Sequence, residues 1–514
     1  NNMADQLSVQ KIFCRGGLDT SRDVLAQGEQ APGSAINLVN YEPAVTGGYR
    51  RIDGFTNSYG TIAGTGSILG VNVANGIRDG IMACRKPSSG DNYLHYWNNT
   101  TSAWVAATCG GSPTMNGVTK VRFSNFNFGT AKTILTDGIN PAATYDGTTY
   151  TQITHSSAPT DPKYAVDYAN HMFLAGDPAH PTKIFFSAPL AETDFATGNG
   201  AGVINVGFPI VAIKPFRDIL YIFGINNIKS LSGTAAANFV LAGVTHDLGC
   251  LATDSIVEIG GDLLFLSQDG MRPISGTSKI GDVQIETVSK DVQSLFNNIA
   301  LTIDLNGLSS VVVRQKSQFR LFFAADEELG IIGGIRKQQE GFGFEFGQIL
   351  GIEATCASSG YIGQYEFVIH GASDGKVHKQ ETGNNFGGAD IFSIYQTPYL
   401  YMENPEQRKI YHKVSTYLRT EGETEIILAV VYDYEDNDVL NPSNYIMNTT
   451  GIPAYYRAAT YDGVDTYSVN PSPIRTTNIS GSGKSVSFKY VTNGTGAGHS
   501  IQGIVLTYGT GDLR

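Results

Sequence analysis

The sequence predicts an all-β protein, a β-propeller carried on a β-rich platform. Three observations predict it. Gly accounts for 60 of 514 residues and charged residues for only 16%, while 26 Tyr and 25 Phe outnumber 2 Trp; such a composition suits strands joined by tight turns. Hairpins of apolar strands around short polar turns recur along the middle of the chain. Convincing helical periodicity is nearly absent.

The hairpins set the architecture. Ile213 to Phe223 reads as strand, turn at Phe216-Arg217-Asp218, strand. Ser255 to Leu266 repeats it around Gly260-Gly261-Asp262, and Ser310 to Phe323 repeats it around Lys316-Ser-Gln318. Tyr164 to Leu174, Val121 to Leu135, Gly80 to Tyr96 and Tyr365 to His378 read the same way. Turns at Gly90, Thr130, Asn170, Asp218, Asp262, Gln318 and Asp374 are spaced by about 40 to 56 residues. That period, with several strands per unit, marks propeller blades. About seven blades are expected over residues 58–390, with six or eight as the neighbouring solutions. A blade cannot cover both of its faces alone, whereas radial packing covers them all. A series of unrepeated β-sandwiches is the competing architecture.

The flanks differ from the repeats. Residues 1–57 carry Gly16-Gly17, Pro32-Gly33 and Gly47-Gly48 between short strands and read as an extended arm. Residues 391–514 switch to longer alternating strands, Lys413 to Arg419 and Thr424 to Tyr434 around a turn at Glu421-Gly422, and read as a β-sandwich-like platform domain. Propeller closure places both flanks together. Helix is expected only at Asp291 to Asn298, after Ser289, and at Leu190 to Phe195.

Charge and cysteines exclude several classes. With 35 Lys and Arg against 47 Asp and Glu, the net charge of −12 argues against tight phosphate clamping of nucleic acid. Cys14, Cys84, Cys109, Cys250 and Cys356 are odd in number, widely spaced and lack C-x-x-C, so they read as buried apolar side chains rather than disulfides or zinc ligands. No apolar run is long enough to span a membrane, so stable membrane insertion is not expected. The first residues lack a signal-peptide pattern, and synthesis in a cytosol is expected.

Each candidate for chemistry reads more simply as structure. Gly481-Ser-Gly-Lys-Ser485 resembles the end of a phosphate loop, but Val486 to Tyr490 after it reads as a strand, not a helix. Asp433, Glu435, Asp436 and Asp438 lack the calcium-loop Gly and Glu, and like Asp326-Glu-Glu328 read as a solvated acidic turn. The pairs His171/His180 and His370/His378 lack metalloprotease spacing and are expected on different loops. Gly371-Ala-Ser-Asp-Gly375 matches a nucleophile elbow in letters only, since a strand follows Ser373. Ser267-Gln-Asp-Gly270 and Ser373-Asp-Gly375 approach a sialidase Asp box without matching it. Arg50-Arg51 and Arg408-Lys409 read as solvated strand ends, or as partners of acidic groups at an interface. Tyr93, Trp97 and Trp104 suit sugar stacking but read first as strand packing. The expectation is a chain with no catalytic, cofactor-binding or metal-ligating residues.

One set of segments is more specific. Gly16-Gly17-Leu-Asp-Thr20, Ala35-Ile-Asn-Leu-Val-Asn-Tyr-Glu-Pro43 and Gly47-Gly48-Tyr-Arg-Arg-Ile-Asp-Gly-Phe55 resemble the arm of tail tubular (nozzle) proteins of short-tailed bacteriophages. Tyr399-Leu-Tyr-Met-Glu-Asn-Pro-Glu-Gln-Arg-Lys-Ile410 and Ile504-Val-Leu-Thr-Tyr508 are similar to that group as well. The resemblance implies a structural virion protein, not an enzyme. It implies a homo-hexameric ring below the portal and adaptor that continues and gates the DNA channel for genome retention and ejection. Implied partners are the adaptor, tail fibre or spike proteins, and double-stranded DNA sliding non-specifically past an acidic wall. The arm is expected to add strands to a neighbouring subunit. The alternatives are a receptor- or glycan-binding propeller on a virion and, third, a polysaccharide-degrading enzyme.

Overall fold

The computed structural model describes residues 7–277, 287–302, 304–323, 329–337, 342–449 and 473–510. Its strands form a closed propeller and a two-sheet platform. Six blades are self-contained sheets. Blade 1 holds Thr65–Val73, Ile81–Lys86, Leu94–Asn98 and Ala103–Ala106. Blade 2 holds Arg122–Asn127, Ala131–Thr136, Ala143–Tyr145 and Thr149–Gln152, with Thr108–Gly110 added in parallel at its outer edge. Blades 3 and 4 run from Tyr164–Tyr168 to Gly202–Asn205 and from Ala212–Phe216 to Val240–Thr245. Blade 5 has three strands, Val257–Ile259, Asp262–Ser267 and Gly270–Pro273. Blade 7 holds Cys356–Ile362, Tyr365–Gly371 and Val377–Gln380, completed by the arm strand Phe55–Thr56.

The remaining radial position, blade 6, is Ser309–Val313, Gln318–Phe322, Leu329–Lys337 and Phe342–Leu350. These are the first four strands of a nine-stranded sheet that continues into the platform. Each junction between neighbouring blades has its own apolar cluster, seven in all, the one between blades 5 and 6 merging with the platform core. The alternation of a strand shows why. In Ile219–Phe223, Leu220 and Ile222 pack toward blade 3, while Tyr221 and Phe223 pack toward blade 5. Both faces are buried, so the strand is continuously apolar instead of alternating.

The five turns at Thr130, Asn170, Asp218, Asp262 and Gln318 join the first and second strands of successive blades. Gly90 and Asp374 instead join the second and third strands of blades 1 and 7. The uneven spacing therefore includes a register step, because one hairpin turn resembles the next in sequence.

Platform and propeller are continuous. After blade 6 the large sheet adds Asn37–Val39, Ile391–Gln396, Val486–Gly494, Glu425–Tyr432 and Tyr445–Asn448. Asn40 bridges this seam: its Nδ2 donates to the carbonyls of Leu350 and Phe392, both at 2.8 Å. Its φ of 54° is one that Asn tolerates better than most residues. The second platform sheet comprises Tyr41–Pro43, Tyr49–Arg51, His499–Thr510, Lys409–Thr420 and Ile474–Asn478, with Ser8–Phe13 and Ser482–Gly483 alongside. Tyr41, Tyr395, Val414, Phe488, Tyr490 and Ile504 fill the space between the two sheets.

Within the chain, the arm strand Ser8–Phe13 pairs with His499–Thr510 and Phe55–Thr56 with blade 7. Some local expectations change. Asp291 to Asn298 is a 3-10 turn, Lys290–Val292, followed by the α-helix Gln293–Thr302. Ser289 does not cap it, because its hydroxyl accepts from Met271 N at 2.9 Å. Leu190 to Phe195 is not helical, since Leu190 has φ 56° and a bridge joins Ala188 to Ala191. A helix at Val24–Gln30 escaped the sequence reading; Asp23 caps it by accepting from Ala26 N.

Phe55 is the apolar anchor of ring closure. It stacks on Phe386 at 5.3 Å and packs against His370 and His378 at 4.9 and 4.7 Å. Phe55→Ala is expected to cost about 3–5 kcal/mol, read by denaturant unfolding. Faster amide exchange of Val377–Gln380 should accompany it.

Candidate functional site

The densest polar constellation lies where arm, propeller and platform meet. Glu42 comes from the arm hairpin, Lys316, Gln318 and Arg320 from the turn and second strand of blade 6, and Glu381 from the end of blade 7. Glu42 Oε1 accepts from Lys316 Nζ at 2.7 Å and Arg50 Nη1 at 3.2 Å. Glu42 Oε2 accepts from Gln318 Nε2 at 3.0 Å and Arg320 Nη2 at 3.2 Å. Asp53 receives Arg50 and Lys316 at 2.7 and 2.8 Å. Glu381 receives Arg320 at 2.6 Å and also Lys316. Arg50 reaches the platform through a two-pronged bond to Glu421, both arms 2.7 Å. Beside it, Arg51 donates to the carbonyls of Asn384, Gly494 and Gly496.

Neither arginine is a solvated strand end. Glu42 and Arg320 are each 1% exposed, and so is Arg51. Isolated charges are costly in such a place: Glu42 and Arg320 persist because each finds opposite partners, and Arg51 because three backbone carbonyls accept its N–H groups. Burial raises the Glu42 carboxyl, but Lys316, Arg320 and Arg50 together outweigh it and hold the carboxyl below its ordinary value. Asp53 is likewise raised by burial and lowered further by Lys316 and Arg50, with a net fall. A carboxylate with a depressed folded value adds stability above its unfolded value of about 4, lost as pH falls through the folded value. The midpoint of thermal unfolding is therefore expected to be level at neutral pH and to drop below about pH 4. Glu42→Gln should flatten that acid limb.

The propeller axis forms a second site, a channel of about 360 Å³ lined by the first strands of all seven blades. It is crossed by charge. Arg122 of blade 2 donates to Asp254, just before blade 5, at 3.0 and 2.8 Å, and Lys120 reaches the same carboxylate at 3.0 Å. Arg122 also lies over the Tyr164 ring at 5.5 Å. Toward the other end stand Lys214, Glu258 and Arg314. Burial lowers the Lys214 ammonium, opposed by Glu258. Bridged from blade 2 to blade 5 and this small, the axis does not admit a DNA duplex.

The remaining candidates fall where packing places them. Lys484 is followed by the strand Val486–Gly494, and Ser373 lies in the turn before Val377–Gln380. Ser267-Gln-Asp-Gly270 is the turn between the second and third strands of blade 5. Asp433 is tied down, its Oδ1 accepting from Ser485 N at 2.7 Å. Asp326-Glu-Glu328 lies outside the described residues. Arg408 bonds Ser482, while Lys409 is buried and donates to the carbonyls of Asn404 and Lys484.

His171 is buried with Nδ1 2.5 Å from the Ser187 carbonyl, and His180 pairs with Asp177. His370 and His378 are not on different loops. The hairpin between them folds back, so they are direct cross-strand partners with rings 5.0 Å apart. The rings are only 30° from parallel, so their in-plane lone pairs do not converge on one ion. Burial and the neighbouring His378 lower His370 to about 3, and burial lowers His378 too. No group of three potential metal ligands occurs among the described residues.

The cysteines are free thiols, four of them buried, with Cys14 raised to about 12 by burial. Tyr93 is buried, its hydroxyl 3.0 Å from that of Tyr150. Trp97 and Trp104 pack on each other and on Tyr59. These aromatics are strand packing. No described helix is long and apolar enough to cross a membrane.

No family model and no curated protein matches the chain. Among solved structures, the chain is similar to a Kluyveromyces lactis Hsv2 carrying a Gly-Ser linker in place of loop 6CD. The identity is 10% and the TM-score 0.32, covering 55% of this chain and 97% of that one. It is also similar to the extracellular domain of a hybrid two-component system of B. thetaiotaomicron, at 10% identity and TM-score 0.40, covering 67% of this chain and 44% of that one. Likenesses this distant say nothing about what the chain does.

Proposed function

We propose that the chain is a structural subunit of the tail nozzle of a short-tailed bacteriophage. About six copies close into a ring below the portal and adaptor. The ring carries double-stranded DNA through its lumen, retains the packaged genome and opens for ejection. Tail fibre or spike proteins dock on its outside, the protein resides in the virion tail after synthesis in the host cytoplasm, and it performs no catalysis.

The observation that supports this reading is the junction. The arm residues that carry the resemblance, Glu42, Arg50, Arg51 and Asp53 among them, are the ones that lock propeller to platform. A wall element under the pressure of packaged DNA needs such a union, and the nine-stranded sheet supplies a second one. Because the propeller's own axis is bridged by Arg122 and Asp254, the DNA path in this reading lies between subunits. A net charge of −12 favours sliding over sticking.

Loss of the protein during phage assembly tests the role. Heads are expected to fill and then lose their DNA, and supplying the wild-type chain should restore retention. Particles that keep and eject their genome without it contradict the proposal.

A further inference from the structure

In the platform, the loop after Tyr399 faces the loop after Tyr432 across a groove of about 780 Å³. The two loops hold five non-glycine residues in the left-handed region: Met402 and Glu403 at φ 49° and 72°, and Asp433, Tyr434 and Glu435 at 45°, 61° and 62°. For a residue as bulky as Tyr this is an outlier, kept only where the surroundings impose it, and such outliers gather at functional sites. The anchoring is visible. Asp433 accepts from Ser485 N, and the Tyr432 hydroxyl donates to the Ser480 carbonyl at 2.9 Å.

The strained run presents a ring. Tyr434 lies on Tyr399 with centroids 4.0 Å apart, yet remains 45% exposed and lines the groove with Tyr401. Around the rings stand the cations Arg408 and Lys484 and the carboxylates Glu406, Asp433 and Asp436. With carboxylates in excess, the groove repels nucleic acid and other polyanions. Apolar lining is confined to Pro405 and Val439 beside the rings, too little for a hydrophobic peptide anchor. An aromatic face ringed by donors and acceptors of both signs matches a pyranose, which offers a C–H face to the ring and hydroxyls to its rim.

We propose that this groove binds a neutral oligosaccharide, with Tyr434 as the stacking platform. The backbone strain of Tyr434 is retained for that contact, so removing it separates stability from binding. Asn tolerates the left-handed region, so Tyr434→Asn keeps the loop and deletes the ring.

The test is saturation-transfer NMR on the full chain with neutral hexasaccharides of glucose, galactose, mannose and N-acetylglucosamine, beside wild type, Tyr434→Asn and Tyr434→Phe. At least one hexasaccharide is expected to receive saturation from the wild type and from Tyr434→Phe. In Tyr434→Asn the affinity should fall about ten-fold, with an unfolding midpoint equal to or above that of wild type. Transfer to none of the four sugars, transfer unaffected by Tyr434→Asn, or a groove that takes only peptides overturns the proposal.

Discussion

Glu42→Ala is expected to be among the most damaging single substitutions in this protein, lowering stability by about 3–5 kcal/mol. The carboxylate accepts from Lys316, Arg320, Arg50 and Gln318 at an almost fully buried position. Removing it leaves buried cations short of a partner, and the penalty of that uncompensated charge exceeds the worth of any one bond. Equilibrium unfolding in urea measures the loss. Pairing the change with Arg320→Met separates the terms: the double variant should lose clearly less than the sum of the two singles, because it removes charge of both signs. Strict additivity would show that the network is a set of independent surface pairs. The same substitution should also loosen the joint between propeller and platform, visible as faster amide exchange in Asn37–Val39 and Tyr49–Arg51.

Gly48→Ala is expected to peel the arm from the platform. Gly48 has φ 81°, and a Cβ there would sit 2.2 Å from the Ile501 carbonyl oxygen, on the strand with which Tyr49 pairs. The left-handed penalty and the backbone clash together amount to about 2–5 kcal/mol. The strand-to-strand contact cannot relax without moving His499–Thr510, which also holds Ser8–Phe13. Limited proteolysis reads the outcome: cleavage should begin within residues 7–57 while the blades remain intact. A variant as resistant as wild type would show that the arm is held elsewhere.

Much of the propeller was legible because its signal is local. A strand such as Ile219–Phe223, apolar throughout and bounded by Arg217-Asp218, states in five residues that both its faces are buried. The long alternating strands of the platform were legible for the same reason, Lys409–Thr420 showing inside and outside in turn. What escaped depends on partners far away in sequence. Phe55–Thr56 is two residues long, and its role as the closing strand is defined only by Lys379 and Gln380. Arg50 and Arg51 looked solvated because Glu421, Asn384, Gly494 and Gly496 lie hundreds of residues downstream. His370 and His378 looked separate because an interval of eight counts as distance along a strand but as contact across a hairpin. The continuity of blade 6 with the platform rests on Asn40, whose two carbonyl partners come from segments it never neighbours in sequence.

The mass and shape of the assembled particle test the ring directly. Mass photometry and negative-stain imaging of the purified chain, with and without the upstream adaptor, would supply both. A closed ring of about six copies of the 55.1 kDa chain is expected, formed alone or on the adaptor, with a central lumen separate from the axis of each propeller. A strict monomer that ignores the adaptor would contradict it.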